Sequence, residues 1–590
     1  MMPTSKSCKL SSIPLKKKSS MSERNSKKRK VIMDENADKN DVEIAKQELS
    51  TMTSFIFNAI TLKQEGNMTK YNELFRLIGD GVYKNTFGLK KTHLWVLAFS
   101  RATQMLDCSC RALVNILLKI DWVCHDNNLV VIYVMFLANL ITSHSDYIDD
   151  ILNMLVKHFV LRVDKDGTIP DDLEFIHGRV HYALKNVLPV VPSGEEELIK
   201  IIFRNFPYKK DSLVVHVTYL KNILQMLEYL PALQTQVLEL IFERLTDLDT
   251  EVQGKMEEIE SFEDSSSQYD ISLHSETSST VSSLRSKGRS YVSISSRSSI
   301  TEDHSDDDIS SSSSPCIVVL DVRHLIEKLD CMLKLLLDYL KWFFDNSTNE
   351  QQEELFDTLM TIFEKIVLLT FKSRYTQFLI FWYVSLKKSY VQPFLAQLLH
   401  KLLADKEPPI IREVASQYVA SYIGRAAYLS TDDIRLCVRA LLKWAEKYLD
   451  CYERLVLLPK PKQHKIFYTI VQCLMYIFCF RWKDFRDVTD GMPHWWPDIM
   501  RLQRIIKSKF APLQVCSGEI VKMFIRITEA LQFMNCKEVL GDRIYRDSKK
   551  EFLDMNEYFP FDPFRLKTSR SYISSIYQDW KGIPGDYDVE

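Results

Sequence analysis

Glycine is scarce in this sequence, with 15 residues among 590. Proteins built from β-hairpins place glycine in their tight turns, and no alternating apolar run bounded by an Asn-Gly or Asp-Gly turn is recognisable here. Valine and isoleucine are common, but they recur at the spacing of a helix face. The shortage of glycine and this spacing exclude an extensive antiparallel sheet and predict an all-α protein.

Catalytic motifs are missing as well. The glycines stand singly and form no phosphate-binding G-x-x-x-x-G-K, dinucleotide-binding G-x-G-x-x-G or nucleophile-bearing G-x-S-x-G sequence. His177 and His181 are four residues apart, as zinc ligands often are, but no glutamate follows the first and no third ligand is nearby. Cys108 and Cys110 would point to different sides of a helix. We therefore expect neither an enzyme nor a bound metal or cofactor.

Long apolar runs are absent too. The longest, residues 129–141 and 467–480, fall short of the ~20 residues that cross a bilayer. The N-terminus is polar and basic, without the apolar core of a secretory leader. Twelve cysteines are scattered over apolar faces, as at Cys437, Cys473 and Cys479, which favours free thiols in a reducing compartment. These features predict a soluble protein inside the cell, without a membrane partner.

The strongest pattern that is present lies between residues 377 and 449. Apolar residues recur at i, i+3, i+4 and i+7 in three consecutive segments, 391–403, 411–426 and 434–448. Pro408 and Pro409 separate the first two segments, and Ser430 is placed to cap the third. Helices of this length joined by short turns are typical of helical-pair solenoids. We predict a HEAT-repeat-like helical superhelix with a period of about 40 residues.

Composition divides the chain into five parts. Of the 62 positions from 253 to 314, 23 are serine, and acids are interspersed, so this segment buries too little apolar surface to offset its ordering entropy. The N-terminal residues, rich in lysine and serine, equally lack an apolar period. The predicted parts are a disordered basic tail (1–45), N-terminal helical repeats (46–252), a disordered acidic serine-rich loop (253–314), C-terminal helical repeats (315–545) and a C-terminal segment (546–590).

The basic tail carries two clusters separated by polar residues, with the spacing of a bipartite nuclear import signal. The clusters are Lys16, Lys17 and Lys18, then Lys27, Lys28, Arg29 and Lys30. A solvated basic tail that touches nucleic acid weakly is the alternative interpretation. The import signal is favoured, and it predicts a nuclear protein with an importin as a partner.

Three serines have neighbours that suggest a role. Ser261 and Ser305 each have an acid three positions on, which suits an acidophilic kinase, although a solvated spacer explains the same composition. Ser193 stands three residues before Glu196, the spacing of a capping box in which each side chain bonds the other residue's amide. The first two are candidate phosphorylation sites, and the third has a structural explanation.

The C-terminal segment carries the most distinctive sequence, Tyr-Phe-Pro-Phe-Asp-Pro at residues 558–563, followed by Ile-Tyr-Gln-Asp-Trp at residues 576–580. Together they resemble the end segment of the RNA polymerase I-specific transcription initiation factor family. Dispersed matches in the same order extend the resemblance over roughly residues 90–580. They include the blocks 206–249, 377–426 and 464–481.

This resemblance implies a HEAT-repeat superhelix without enzymatic activity. Family members bind RNA polymerase I directly, make it competent to initiate and connect it to the core promoter factor, a TBP-containing selectivity factor, on ribosomal DNA. The resemblance further implies a nuclear and nucleolar phosphoprotein that serves ribosomal RNA synthesis and is controlled by protein kinases. It also implies homodimers of the free factor, and no sequence-specific DNA binding of its own. A generic nuclear HEAT-repeat adaptor or transport receptor is the alternative interpretation.

The resemblance also suggests where the polymerase binds. Ser193 matches the serine of the family's regulated Pro-Ser-Thr-Pro element, but Gly194 and Glu195 replace its threonine and second proline, so a proline-directed kinase site is absent. Ser143 and Ser145 are candidates for the same polymerase-facing patch. Alternatively, these two serines cap the helix that begins near Asp146.

Overall fold

The computed structural model of this chain describes residues 35–84, 87–160, 173–267, 315–455, 461–489, 492–536, 539, 558–561, 563–580 and 582. Within these residues the protein is almost entirely helical and forms two compact units. Unit 1 contains residues up to 120 together with 131–139, and unit 2 contains 121–130 together with the chain from 140 onward. The predicted all-α class is therefore confirmed.

The helices in the first half of the chain are α1 (Glu35–Gln64), α2 (Thr69–Tyr83), α3 (Leu89–Arg101), α4 (Arg111–Leu117), α5 (Asn127–Ser143), α6 (Ile148–Lys157), α7 (Leu173–Val187), α8 (Gly194–Arg204), α9 (Leu213–Met226) and α10 (Gln234–Ser267). Those in the second half are α11 (Pro315–Asn346), α12 (Asn349–Ile362), α13 (Phe378–Ser385), α14 (Val391–Leu403), α15 (Pro409–Arg425), α16 (Thr431–Tyr452), α17 (Lys465–Arg481), α18 (Arg501–Ile506), α19 (Pro512–Val515), α20 (Gly518–Ala530) and α21 (Arg570–Ile573). None of the described helices is both long and apolar enough to cross a membrane.

Unit 1 is built on α1, which packs against both α2 and α3. Its core consists of fully buried apolar side chains, among them Ile60, Leu74 and Phe99. Tyr133 is also buried there, and its hydroxyl donates a hydrogen bond of 3.0 Å to the carbonyl oxygen of Leu117. This bond satisfies a polar group that would otherwise be costly to bury.

Unit 2 contains the pattern that dominates the sequence. Helices α14, α15 and α16 match the three apolar stripes, and α14 packs on α15, which packs in turn on α17. The side chain of Ser430 caps α16 as expected, since it accepts a hydrogen bond from the amide of Asp433. Helix α13 is buried at every position from Phe378 to Val384, in agreement with its apolar sequence on all sides.

Two described helices extend beyond the boundaries expected from composition. Helix α1 begins at Glu35, although residues up to 45 were expected to be disordered, and α10 continues to Ser267 beyond the expected loop start at residue 253. Tertiary contacts hold the first turn of the second extension: Gln253 is buried, and Glu257 accepts a hydrogen bond of 2.7 Å from Lys372. The candidate import signal and Ser305 lie outside the described residues, and Ser261 falls within α10.

One short sheet was not anticipated. Strands β1 (Arg486–Thr489) and β2 (Met492–Trp495) pair antiparallel, with Arg486 opposite Trp495 and Thr489 opposite Met492. The sequence does contain the signal for it, because Asp490-Gly491 is a hairpin-turn pair. Four residues on each side are too few to show an alternating pattern against the long helical ones.

Asp249 joins α10 to the start of α13 through a fully buried carboxylate. Its oxygens accept hydrogen bonds of 2.8–3.0 Å from the amides of Arg374, Tyr375 and Thr376, and one oxygen also accepts the Thr376 hydroxyl. Burial raises the pKa of this carboxyl above its ordinary value, while the four hydrogen bonds act in the opposite direction. These bonds satisfy the amides of a turn that no helix ladder reaches.

The C-terminal strap, defined as residues 558–580, packs across several helices of unit 2. Phe561 is fully buried and its ring contacts Phe378, Phe381, Tyr418 and Tyr422, with centroid separations of 4.9–6.0 Å. Further along, the strap forms main-chain hydrogen bonds to the segment after α15, from Ala427 N to Ile576 O at 2.9 Å and from Gln578 N to Arg425 O at 2.7 Å. The distinctive C-terminal sequence therefore contributes to the core of unit 2.

We predict that Asp249→Asn lowers the free energy of unfolding by about 2–4 kcal/mol, because the amide has one acceptor oxygen where the carboxylate has two and leaves buried N–H groups unpaired. Denaturant unfolding checks the value. The matched control is Asp247→Asn, two positions earlier at an exposed site, which should change it by less than ~0.5 kcal/mol. Equal effects of the two substitutions would contradict the anchoring role of Asp249.

Candidate partner-binding face

The three serines suggested by the sequence lie at helix ends in one part of unit 2. Ser143 is the last residue of α5, Ser145 opens the short 3₁₀ turn that leads into α6, and Ser193 directly precedes α8. All three side chains are exposed. We call this region, residues 143–150 and 192–197, the serine face.

The start of α8 lies beside the start of α6, which brings the two segments of the serine face together. Gly194 is buried, and a Cβ atom placed on it would lie 3.9 Å from Cδ1 of Ile148 and 3.3 Å from Cδ2 of Leu188. Tyr147, between Ser145 and Ile148, is fully buried and fixes the other segment. Ser145 and Ser193 therefore stand on rigid chain that is packed from beneath.

Polar contacts tie the far end of α8 to α6. Arg204 donates from Nη2 to Oδ1 of Asp149 at 3.3 Å, and Asn205 donates from Nδ2 to Oδ1 of Asn153 at 2.9 Å. The charged pair is exposed and contributes well under ~1 kcal/mol, so the apolar packing of the two helices carries most of the stability. The face is consequently a preformed surface rather than a loop that must order on binding.

The capping roles expected for these serines are wrong. Ser193 has φ −87° and ψ 4°, outside the extended conformation of a capping residue, and its side chain makes no cap hydrogen bond. Its carbonyl oxygen instead accepts the amide of Glu197 at 3.2 Å. Before α6 the cap positions are His144 and Tyr147, and neither they nor Ser145 supply a side-chain cap. Within the described residues the three serine hydroxyls therefore have no hydrogen-bonding partner.

Acids surround the serine face. Asp149 and Asp150 occupy the first turn of α6, and three consecutive glutamates, Glu195, Glu196 and Glu197, occupy the first turn of α8. Carboxylates are stabilised at these positions because the N-terminal end of a helix carries partial positive charge. Lys200 offsets one of them through a 2.8 Å bond to Glu197. A phosphate added to a serine here would join an already negative surface.

The histidine pair on α7 is part of the core. His177 and His181 are both buried, and the ring nitrogens of His181 lie 2.8 Å from the Tyr229 hydroxyl and 3.1 Å from Oδ1 of Asn222. Burial, together with nearby Lys221 for His177, lowers the pKa of each imidazole to about 4. Both rings are therefore neutral near pH 7. No cluster of three or more metal-binding side chains occurs among the described residues.

Comparison with known proteins gives a consistent result. The model of a family described as RNA polymerase I specific transcription initiation factor RRN3 matches residues 45–585. A Schizosaccharomyces pombe protein named RNA polymerase I-specific transcription initiation factor rrn3 is 31% identical over 566 residues, which cover 94% of this chain and 90% of that protein. The Mus musculus protein of the corresponding name is 26% identical over 519 residues, covering 82% and 75%.

A solved structure supports the fold. The crystal structure of RNA polymerase I transcription initiation factor Rrn3 superposes with a TM-score of 0.66 at 23% identity, covering 90% of this chain and 99% of that one. At this identity the likeness concerns the fold alone. It agrees with the helical architecture expected from the apolar periodicity.

We predict that Gly194→Thr destabilises the protein by about 1–2 kcal/mol, because the added Cβ would be pressed against Leu188 at 3.3–3.4 Å. Thermal unfolding measures the effect. Gly178→Thr in α7 is the matched control, since a Cβ there meets no heavy atom within 4 Å. A smaller loss for Gly194→Thr than for the control would contradict the tight packing at the start of α8.

We predict that stability declines as the pH falls from about 6.5 towards 4. The folded-state pKa of His177 and His181 is about 4, below the ordinary 6.5, so the unfolded chain takes up protons first and is favoured by acid. Denaturant unfolding at pH 7, 6, 5 and 4.5 should show a shallower pH dependence for His181→Gln than for the unchanged protein. The control is His494→Gln at an exposed position. If the free energy of unfolding of His181→Gln depended on pH as steeply as that of the unchanged protein, His181 would not be a source of the pH dependence.

Proposed function

Because the chain belongs to the RNA polymerase I-specific transcription initiation factor RRN3 family, we propose that it binds RNA polymerase I directly, makes the enzyme competent to initiate and recruits it to the ribosomal DNA promoter. The observation that carries this proposal is the family match across residues 45–585, which includes both compact units. The protein acts in this role as a non-enzymatic factor. It acts through surfaces that bind other proteins rather than through a catalytic centre.

The serine face is the proposed docking surface for the polymerase. Its supporting features are three exposed hydroxyls without partners among the described residues, and a backbone held in place by Tyr147 and Gly194. A hydroxyl can donate and accept, so it pairs with either kind of group on a partner. A rigid surface also loses less conformational entropy on binding than a mobile loop does.

Phosphorylation of this face would oppose docking. Each phosphate adds about 1.5–2 negative charges and a strongly hydrated group that must lose water in an interface. The acids in the first turns of α6 and α8 already make the surface negative, so the partner's docking surface must carry complementary positive charge. Because residues 194 and 195 are glycine and glutamate, control by a proline-directed kinase does not operate at Ser193.

Further parts of the proposed function rest on the family membership and the sequence motifs. The protein bridges the polymerase to the TBP-containing core promoter factor, and acidophilic kinases modify Ser261 and Ser305. The basic clusters at residues 16–30 bind an importin, which brings the protein to the nucleus and the nucleolus. The free factor forms homodimers and recognises no DNA sequence by itself.

The central test is affinity purification of the tagged protein from nuclear extract, followed by identification of the bound polymerase. We expect to recover the subunits of RNA polymerase I together with the core promoter factor. Recovery of a Ran-type GTPase and transport cargo without the polymerase would instead identify a transport receptor and refute the proposed function.

The same assay tests the serine face. We predict that Ser193→Asp weakens polymerase co-purification about five- to tenfold, whereas Ser193→Ala leaves it within a factor of two, because only the first adds charge to the docking surface. The matched control is Ser389→Asp, an exposed serine just before α14. Equal binding by both Ser193 variants would remove Ser193 from the docking surface without affecting the family assignment.

A further inference from the structure

The middle of the C-terminal strap has one outer and one inner side. Arg565, Lys567 and Thr568 are exposed, whereas Leu566 is buried and Phe564 is half-buried against Phe378 and Tyr375. The strap thus presents two cations and a hydroxyl to solvent while apolar side chains hold it down. Thr568 follows Arg565 by three positions, which is the pattern Arg-x-x-Thr.

Ser569, the residue after Thr568, is inaccessible to a kinase. Ser569 is fully buried, and its amide and hydroxyl donate to Oδ1 of Asp330 at 2.9 Å and 2.5 Å. The amide of Thr568 donates to the other oxygen of the same carboxylate at 2.7 Å, but its side chain is exposed. The buried carboxylate of Asp330 on α11 therefore accepts both amides. It also accepts the hydroxyl of Ser569, whereas the hydroxyl of Thr568 faces solvent.

A second carboxylate on α11 anchors the strap close by. Oδ1 of Asp338 accepts the hydroxyl of Tyr572 at 2.5 Å, while its Oδ2 pairs with Lys334 at 2.7 Å. The strap in this region is thus attached to α11 through acceptors that carry negative charge. Attachment of this kind is sensitive to negative charge added on the strap itself.

We propose that Thr568 is a phosphorylation site for a basophilic serine/threonine protein kinase, and that the modification releases the strap from α11. In the reaction the Thr568 hydroxyl oxygen bonds to the γ-phosphorus of ATP, the bond from that phosphorus to the ADP oxygen breaks, and the hydroxyl proton passes to the base of the kinase. Arg565 and Lys567 supply the positive charges that a kinase with an acidic substrate groove selects.

Release follows from the position of the added charge. The phosphate would stand on the residue whose amide is bonded to Asp330, a carboxylate that is only 4% exposed and is poorly screened by solvent. Lys567 and Arg570 flank the site, but both are exposed and are screened. Repulsion therefore weakens the two amide bonds to Asp330 more than the flanking cations stabilise the docked strap.

Release is local to the part of the strap that α11 holds. The aromatic packing around Phe561 and the main-chain bonds at residues 425–427 involve other parts of the strap and stay in place. The modification would thereby loosen the attachment of residues 568–572 to α11, independently of the serine face.

The experiment treats the full-length chain with the catalytic domain of a basophilic kinase and ATP, maps the phosphate by mass spectrometry, and measures hydrogen exchange across residues 558–580. We expect phosphate on Thr568 and none on Ser569, with exchange of the two amides about tenfold faster, a change of ~1.4 kcal/mol. Arg565→Ala should reduce the incorporation about tenfold without altering exchange in the unmodified chain.

Two controls keep the result interpretable. Ser575→Glu adds charge at an exposed strap position away from Asp330 and should leave exchange at residues 568 and 569 unchanged. Thr568→Glu should accelerate amide exchange at residues 568 and 569 without any kinase. This variant gives a result even if phosphorylation of the unchanged chain is incomplete. The proposal is overturned if phosphate goes to Ser569 in the folded chain, if Thr568 stays unmodified while Arg565 is present, or if phosphorylated Thr568 exchanges as slowly as before.

Discussion

Burial of apolar helix faces against neighbouring helices is the interaction on which unit 2 depends. Helices α14, α15 and α17 pack successively, and their inward positions are almost all fully buried. At about 25 cal/mol per Å² of apolar surface, such packing outweighs any single hydrogen bond or ion pair in the protein. The serine face is positioned by packing of the same kind, between α6 and α8.

Buried carboxylates provide hydrogen-bond acceptors for buried amides that apolar packing leaves without partners. Where a chain leaves a helix and stays buried, its amides lose their partners, and each unpaired amide costs on the order of 1–3 kcal/mol. Asp249 accepts the amides before α13, and Asp330 accepts those of the strap. Both acids link segments that are far apart in sequence, so they tie the chain into one folded unit.

The two carboxylates have different surroundings. Around Asp249 the adjoining residues Tyr375 and Thr376 are buried. Around Asp330 the strap exposes Thr568 and two cations, the features from which the phosphorylation of Thr568 is proposed. The serine face differs from both, since its three hydroxyls are exposed and have no hydrogen-bonding partners among the described residues.

Several features could be predicted from the sequence because they depend on local order. Helix spacing identified α13 to α16, a single serine identified the cap of α16, and dispersed motifs identified the family. The reason is that a helix places residues i, i+3, i+4 and i+7 on one face whatever surrounds it. The uniformly apolar stretch at α13 was likewise recognisable as buried.

Other features were decided by the tertiary structure alone. The sequence placed Ser193 in a capping box, but packing of Gly194 against Leu188 and Ile148 sets a backbone conformation in which that bond does not form. Helix α10 continues past its expected end, and its first turn beyond residue 253 contacts Lys372, which is far along the chain. Asp330 and Ser569 are distant in sequence, and no spacing rule relates them. Local patterns determine which helices form, whereas contacts between distant residues determine where they end and which polar groups they bury.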